Sequence, residues 1–139
     1  MCIRDSYYQN LTGELDKAAQ TYQEDIESYP RDARAYVGLG IVYAEQGQYE
    51  KATESFRQSH RLSPDNNAPY TDLVNSLLSL QRFDETRQII REGQARKLDN
   101  VIFHNALYAL AFLGSDSAAT AEEQQWFAGK PEYLSLIHI

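Results

Sequence analysis

Shifted by 34 places, the sequence falls back on itself: Pro30 meets Pro64, Gly13 meets Gly47, Ala18 meets Ala52, Tyr22 meets Phe56, and Tyr36 meets Tyr70. Leu39, Leu73 and Leu107 form one column of this register, and Asp16, Glu50 and Asp84 another. A constant period of this size marks stacked units, each unable to bury its apolar face alone, and it excludes a single folded sheet or barrel.

Within a unit the apolar residues recur at helical spacing. Tyr36, Leu39, Gly40 and Tyr43 follow one another at three and four residues, and Tyr49, Ala52 and Phe56 do so again after a break. The break falls at Gln46-Gly47-Gln48, where Gly47 is expected to take the left-handed conformation that ends a helix. Glu50 near the next helix start suits the helix dipole. Between units, Pro30 and Pro64 turn the preceding residue away from helical dihedrals, and Asp32, Asp65 and Asn66 are candidate caps for the next helix. Each unit therefore reads as two antiparallel helices.

Tyr36-x2-Leu39-Gly40-x2-Tyr43, Ala52-x3-Phe56 and Pro64 together resemble the tetratricopeptide repeat, with Tyr in place of the more usual Trp at the first position. The resemblance implies an all-α, right-handed helical solenoid of about three and a half helix pairs, with units at 7–32 (mostly a second helix), 33–66, 67–100 and 101–129. Gly40 and Ala52 are the small residues that let paired helices approach, and Tyr43 and Phe56 fill the space beside them. The third unit departs from the pattern at Val74, Thr86, Gly93 and Leu98. In the fourth unit His104 sits in an aromatic column, and the second helix, near residues 117–128, carries Gln124 where an aromatic belongs.

The two ends are read differently. One permitted spelling of residues 1–6 (MCIRDS) has a reverse complement that encodes Leu134 to His138 and opens an isoleucine codon, so both hexapeptides share one coding origin. That spelling resembles a transposon end used to prepare sequencing libraries. Residues 1–6 and 134–139 are therefore expected to be translated adapter, leaving 7–133 as a segment without natural ends. The single cysteine, Cys2, falls in the adapter, so the segment offers no thiol framework.

Composition narrows the partners. The chain has 20 acidic residues against 13 Lys plus Arg, a formal charge of -7, and so repels phosphate backbones, which argues against nucleic acid. The apolar runs, which include 37–44 and 106–113, fall well short of the ~20 residues of a membrane-spanning helix. No nucleophile, metal or cofactor constellation stands out, and no catalytic activity or cofactor is expected of this segment. Gly38-Leu39-Gly40 begins like a dinucleotide loop but lies inside a helical pattern. Glu122 and Glu123 are adjacent and diverge on a helix, so they do not form an acid/base pair. His60 and His104 lack a second ligand at metal spacing and read as satisfied or exposed imidazoles. Residues 82–98 hold Arg82, Arg87, Arg91, Arg96 and Lys97 against Asp84, Glu85 and Glu92, a basic spot best read as a solvated, ion-paired face.

In tetratricopeptide proteins the first helices of successive units line a concave surface that receives an extended peptide or a partner helix. The positions resembling that groove are Arg34, Val37, Gly38 and Ile41, then Thr71, Asp72 and Asn75, then Ile102, Asn105 and Ala109. A protein or peptide ligand there is the expected partner, with Asn75 and Asn105 able to pair with a guest's backbone. For Arg34, Asp72, Asn75 and Asn105, plain solvated surface is the competing reading. The paired Lys and Asn clamp of chaperone-binding relatives is missing. Tyr36, Tyr43, Phe56 and Tyr70 are expected to be buried core, and Trp126 with Phe127 to cap the apolar end of the stack.

A further likeness covers nearly all of 7–133. The runs at 14–33, 39–52 (LGIVYAEQGQYEKA), 92–100 (EGQARKLDN), 107–113 and 128–131 resemble the repeat region that follows the catalytic domain in a group of bacterial serine/threonine protein kinases. That likeness implies a carboxy-terminal docking or sensing region, with none of the kinase's own catalytic motifs present. Related repeat regions follow transcriptional regulators, and a spacer or self-association role is the alternative from another class.

Overall fold

The computed structural model describes residues 13–130, so both terminal hexapeptides, the first helix of the 7–32 unit and residues 131–133 lie outside the described residues. Seven helices and no strands occur among the described residues: α1 Leu15–Ser28, α2 Ala33–Glu45, α3 Tyr49–Leu62, α4 Asn67–Ser79, α5 Phe83–Ala95, α6 Val101–Leu113 and α7 Ser117–Ala128. They form hairpins α2–α3, α4–α5 and α6–α7 stacked after α1, with successive helices packed together except at the α5–α6 joint, where α6 rests more on α4. The unit boundaries at 33, 67 and 101 coincide with helix starts.

The 34-residue period is written into the turns. Gly13, Gly47, Gln81 and Ser115 occupy one column, and all four take positive φ, at 66°, 74°, 57° and 54°. After α2, α4 and α6 the chain closes the same 6→1 hydrogen bond: Gln48 N–H to Tyr43 O, Arg82 N–H to Leu77 O, and Asp116 N–H to Ala111 O, at 2.8, 2.9 and 2.9 Å. Gly47 behaves as its residue type predicts, whereas Gln81 and Ser115 adopt the same backbone without glycine's freedom.

A second column starts the first helices. Asp32, Asn66 and Asn100 accept from the backbone N–H of Arg34, Ala68 and Ile102, satisfying orphan donors at α2, α4 and α6. Asp65, the other candidate, lies one residue before the cap, and its carboxylate accepts from Arg96 at 2.7 Å. At the joint before α6, where Leu98 replaces the expected Pro, the chain stops α5 by another route: Lys97 takes φ 61° and Leu98 N–H bonds Gly93 O at 3.0 Å.

Two apolar clusters make the core. Ala18, Ala19, Tyr22, Leu39 and Val42 form the first, and Ala52, Phe56, Tyr70, Leu73, Val74, Leu77, Ile89, Ile90, Phe103 and Ala106 the second. Tyr43 packs against both and joins them. Close approach is set by a small residue under a ring: a Cβ at Gly38 would strike Tyr22, one at Gly40 would strike Phe56, and one at Gly93 would lie 2.5 Å from Phe103. The third unit's departures are exchanges of volume. Where the second unit pairs Gly40 with Phe56, the third pairs Val74 with Ile90, both fully buried. The next joint is slighter, since α5 and α6 meet over a short stretch where Phe103 covers Gly93, and more of the contact runs between α4 and α6.

Tyr70 and Phe56 are buried as expected, but Tyr36 and Tyr43 are only half-buried. Their hydroxyls keep them at the rim: Tyr36 donates to Pro30 O at 3.2 Å, and Tyr43 accepts from Gln23 Nε2 at 2.9 Å. His60 also differs from expectation, since its ring packs edge-on against Tyr70 at 4.5 Å and its buried Nε2 has no hydrogen-bond partner among the described residues. Three cations of the basic spot are ion-paired: Arg82 meets Glu85, which Arg57 also reaches, Arg87 meets Asp84, and Arg96 meets Asp65.

Gly40→Leu should lower the melting temperature by several degrees. The Phe56 ring is 3% exposed and cannot swing away, so overpacking costs ~1–3 kcal/mol, against at most ~1 kcal/mol regained in helix propensity. Thermal unfolding followed by circular dichroism reads this, and an unchanged or raised melting point would contradict the close crossing.

Candidate functional site

The three first helices differ sharply in charge from the rest of the chain. α2, α4 and α6 together carry one cation, Arg34, and two acids, Glu45 and Asp72, while the second helices hold most of the remaining charges. Arg34 is exposed and folded back on its own cap, with Nη2 at 2.8 Å and Nε at 3.1 Å from the Asp32 carboxylate. That pairing holds the Asp32 carboxyl below its ordinary value.

Between α2 and α4 lies an open cleft of about 320 Å³ lined by Ile41, Ala44, Glu45, Tyr49, Phe56, Asp72, Asn75, Ser76 and Ser79. It brings together three of the residues singled out from the sequence, Ile41, Asp72 and Asn75. Asp72 has no hydrogen bond or ion pair among the described residues, and burial pushes its carboxyl up to about 6. The side-chain amides of Asn75 and Asn105 likewise have no partner among the described residues; Asn75 is exposed and Asn105 half-buried. Ser76 and Ser79 donate their hydroxyl protons to Leu73 O and Asn75 O, at 3.1 and 3.0 Å, which leaves oxygen acceptors on that wall.

The other predicted positions sit elsewhere. Gly38 is buried, with the space for a side chain taken by Tyr22. Val37 is half-buried, and Thr71 spends its hydroxyl proton on Asn67 O at 3.1 Å. Ile102 packs on the core cluster, and Ala109 is half-buried on α6. Beside them, Phe112 and Leu113 at the end of α6 are 68% and 64% exposed, an apolar pair the sequence reading passed over.

His104 is a satisfied imidazole, one of the two states expected of it, and the fold satisfies it with carboxylates that spacing did not reveal. Its Nδ1 lies 2.7 Å from Glu123 and its Nε2 2.9 Å from Asp99, with the ring buried. The two acids meet opposite nitrogens, so they share no metal point, and no group of three or more metal-capable side chains occurs among the described residues. Burial alone would raise the Asp99 carboxyl, but hydrogen bonds from His104 and Gln94 hold it below its ordinary value. Trp126 stacks on His104 at 3.7 Å, Lys130 sits over the indole at 3.6 Å, and Phe127 is fully buried, so the aromatic pair closes the end of the stack. No helix among the described residues is long and apolar enough to cross a membrane.

A family model described as Tetratricopeptide repeat matches residues 33–66. The human mitochondrial import receptor subunit TOM70 is 30% identical over 98 residues, which is 70% of this chain and 16% of that protein. The chain spans only 7–16% of the length of the curated relatives it matches. Among solved structures, that of MamA superposes with a TM-score of 0.79 at 18% identity, covering 98% of this chain and 79% of that one. The TPR2B domain of yeast Sti1, solved as a complex with pHsp70, superposes with a TM-score of 0.63 at 15% identity, covering 91% and 89%. The chain thus carries a tetratricopeptide repeat at residues 33–66, within a helical stack of the same fold as these structures.

Proposed function

We propose that this chain is a non-catalytic protein-binding module that receives a peptide or protein segment along the face of α2, α4 and α6. The observation that carries this reading is the cleft between α2 and α4, where Ile41, Asp72 and Asn75 converge and polar groups stand without internal partners. The likeness to the Sti1 domain, itself solved with pHsp70, supports the same use of the fold. Because the chain spans a small share of its relatives, we place it within a larger protein. The sequence likeness favours a bacterial signalling protein such as a serine/threonine kinase, with a transcriptional regulator as the alternative parent. Uninterrupted genomic sequence across residues 6–7 and 133–134 tests that parentage together with the adapter reading of both ends.

Peptides selected from a random twelve-residue display library test the groove. Replacing Asn75 and Asn105 by Ala should weaken them by roughly two- to tenfold per amide, the worth of a hydrogen bond at ~0.5–1.5 kcal/mol, with the melting temperature unchanged. Selected peptides indifferent to both substitutions would refute a groove at this face.

The exposed pair Phe112 and Leu113 favours a second reading, self-association through the end of α6. Light scattering should then show mass rising with concentration, and Phe112→Ser with Leu113→Ser should abolish the rise. A constant mass would dismiss it.

A further inference from the structure

We infer that the cleft between α2 and α4 is a socket for a basic side chain, Lys or Arg, of the partner, with Asp72 as its counter-charge. The inference rests on the groove proposed for α2, α4 and α6 and specifies what that groove takes.

The walls of the cleft divide by chemistry. Ile41, Ala44 and Phe56 present carbon, suited to the methylene stem of a long side chain. Across from them stand Asp72 and the hydroxyls of Ser76 and Ser79, whose protons are already committed to the backbone of α4. Hydroxyls bonded in this way face the cleft as acceptors, and a carboxylate only accepts. The site is therefore rich in acceptors, with the Asn75 amide and the Tyr49 hydroxyl adding donors. An ammonium or guanidinium group, which only donates, complements such a wall. A carboxylate or phosphate guest would meet Asp72 and Glu45 with nothing cationic in the lining.

Asp72 is also the acid whose situation in the free chain is poorest. Asp32, Asp65, Asp84, Glu85, Asp99 and Glu123 each have a basic side chain within reach. Asp72 has none among the described residues, and partial burial without a compensating charge pushes its carboxyl up to about 6. A guest cation supplies that compensation, at a site already shaped to hold its stem. The overall charge of -7 attracts the same kind of partner from a distance.

Burial also sets the sign of the pH dependence. The folded chain holds the Asp72 proton up to about pH 6, whereas the unfolded chain releases it near 3.8, so ionisation here weighs against folding at pH 7 and not below pH 4. Asp72→Asn should thus keep or raise the melting temperature at pH 7, the difference vanishing by pH 4. A cationic guest binds the ionised form, so its affinity should fall as pH drops through 6. Other titratable groups around the cleft are Glu45 on α2 and Tyr49 on α3; α6 adds Tyr108 and His104, whose nitrogens are engaged by Asp99 and Glu123.

The probes are display-selected twelve-residue peptides, resynthesised with blocked ends and titrated against the full chain by fluorescence anisotropy. Selection should enrich Lys or Arg at one position, and changing that residue to norleucine should weaken binding at least tenfold. On Asp72→Asn the same change should matter less than twofold, and binding should lose its fall between pH 7 and pH 5; Asp72→Glu should restore part of both. Peptides that lack basic residues, or whose basic residue counts equally on Asp72→Asn, overturn the inference. If such peptides still respond to Asn75→Ala and Asn105→Ala, the groove stands and the basic socket falls; if they ignore all three positions, both fall.

Discussion

The stack depends on one steric arrangement, an aromatic ring seated where a neighbouring helix has no side chain. Tyr22 over Gly38, Phe56 over Gly40 and Phe103 over Gly93 each bring two helices closer than a pair of ordinary side chains would permit. Close approach turns separate amphipathic hairpins into clusters that share residues, with Tyr43 reaching both. The cleft between α2 and α4 arises from the same spacing, because Phe56 closes its floor while Ile41 and Asp72 stand on its sides.

Much of this could be read from residue type alone. The period, the hairpins, the span of α7 and the left-handed turn at Gly47 all rest on local chemistry that a sequence displays. What escaped was compensation between distant positions. Val74 looks like a lapse from a small-residue column until Ile90 is seen to be correspondingly smaller than Phe56. Gln81 and Ser115 do not announce a positive φ, since their conformation is imposed by the 6→1 bonds that Arg82 and Asp116 make to the preceding helices. His104 gave no hint of Asp99 and Glu123, because their meeting needs the turn before α6 and the docking of α7 together.

The candidate site was half legible. Counting along the repeat identified Ile41, Asp72 and Asn75, which share a cleft, but gave equal weight to Arg34 and Gly38, which do not. Arg34 sits beside a cap residue that captures it, and Gly38 lies beneath a ring from the unit before; neither neighbour belongs to the position's own pattern. Repeat register says which way a position points in an average unit. It does not say who already occupies that space.

The thin contact between α5 and α6 gives the array an unequal spine. In a chain whose cohesion passes only between neighbours, the weakest coupling sets where cooperativity breaks. The closing hairpin is stitched internally by His104 and Trp126 and joined to the hairpin before it chiefly through Phe103 and Ala106, so it is the block expected to part first while the middle hairpins keep their shape. Tension applied along the chain would be relieved there first, well before the α2–α4 cleft gave way.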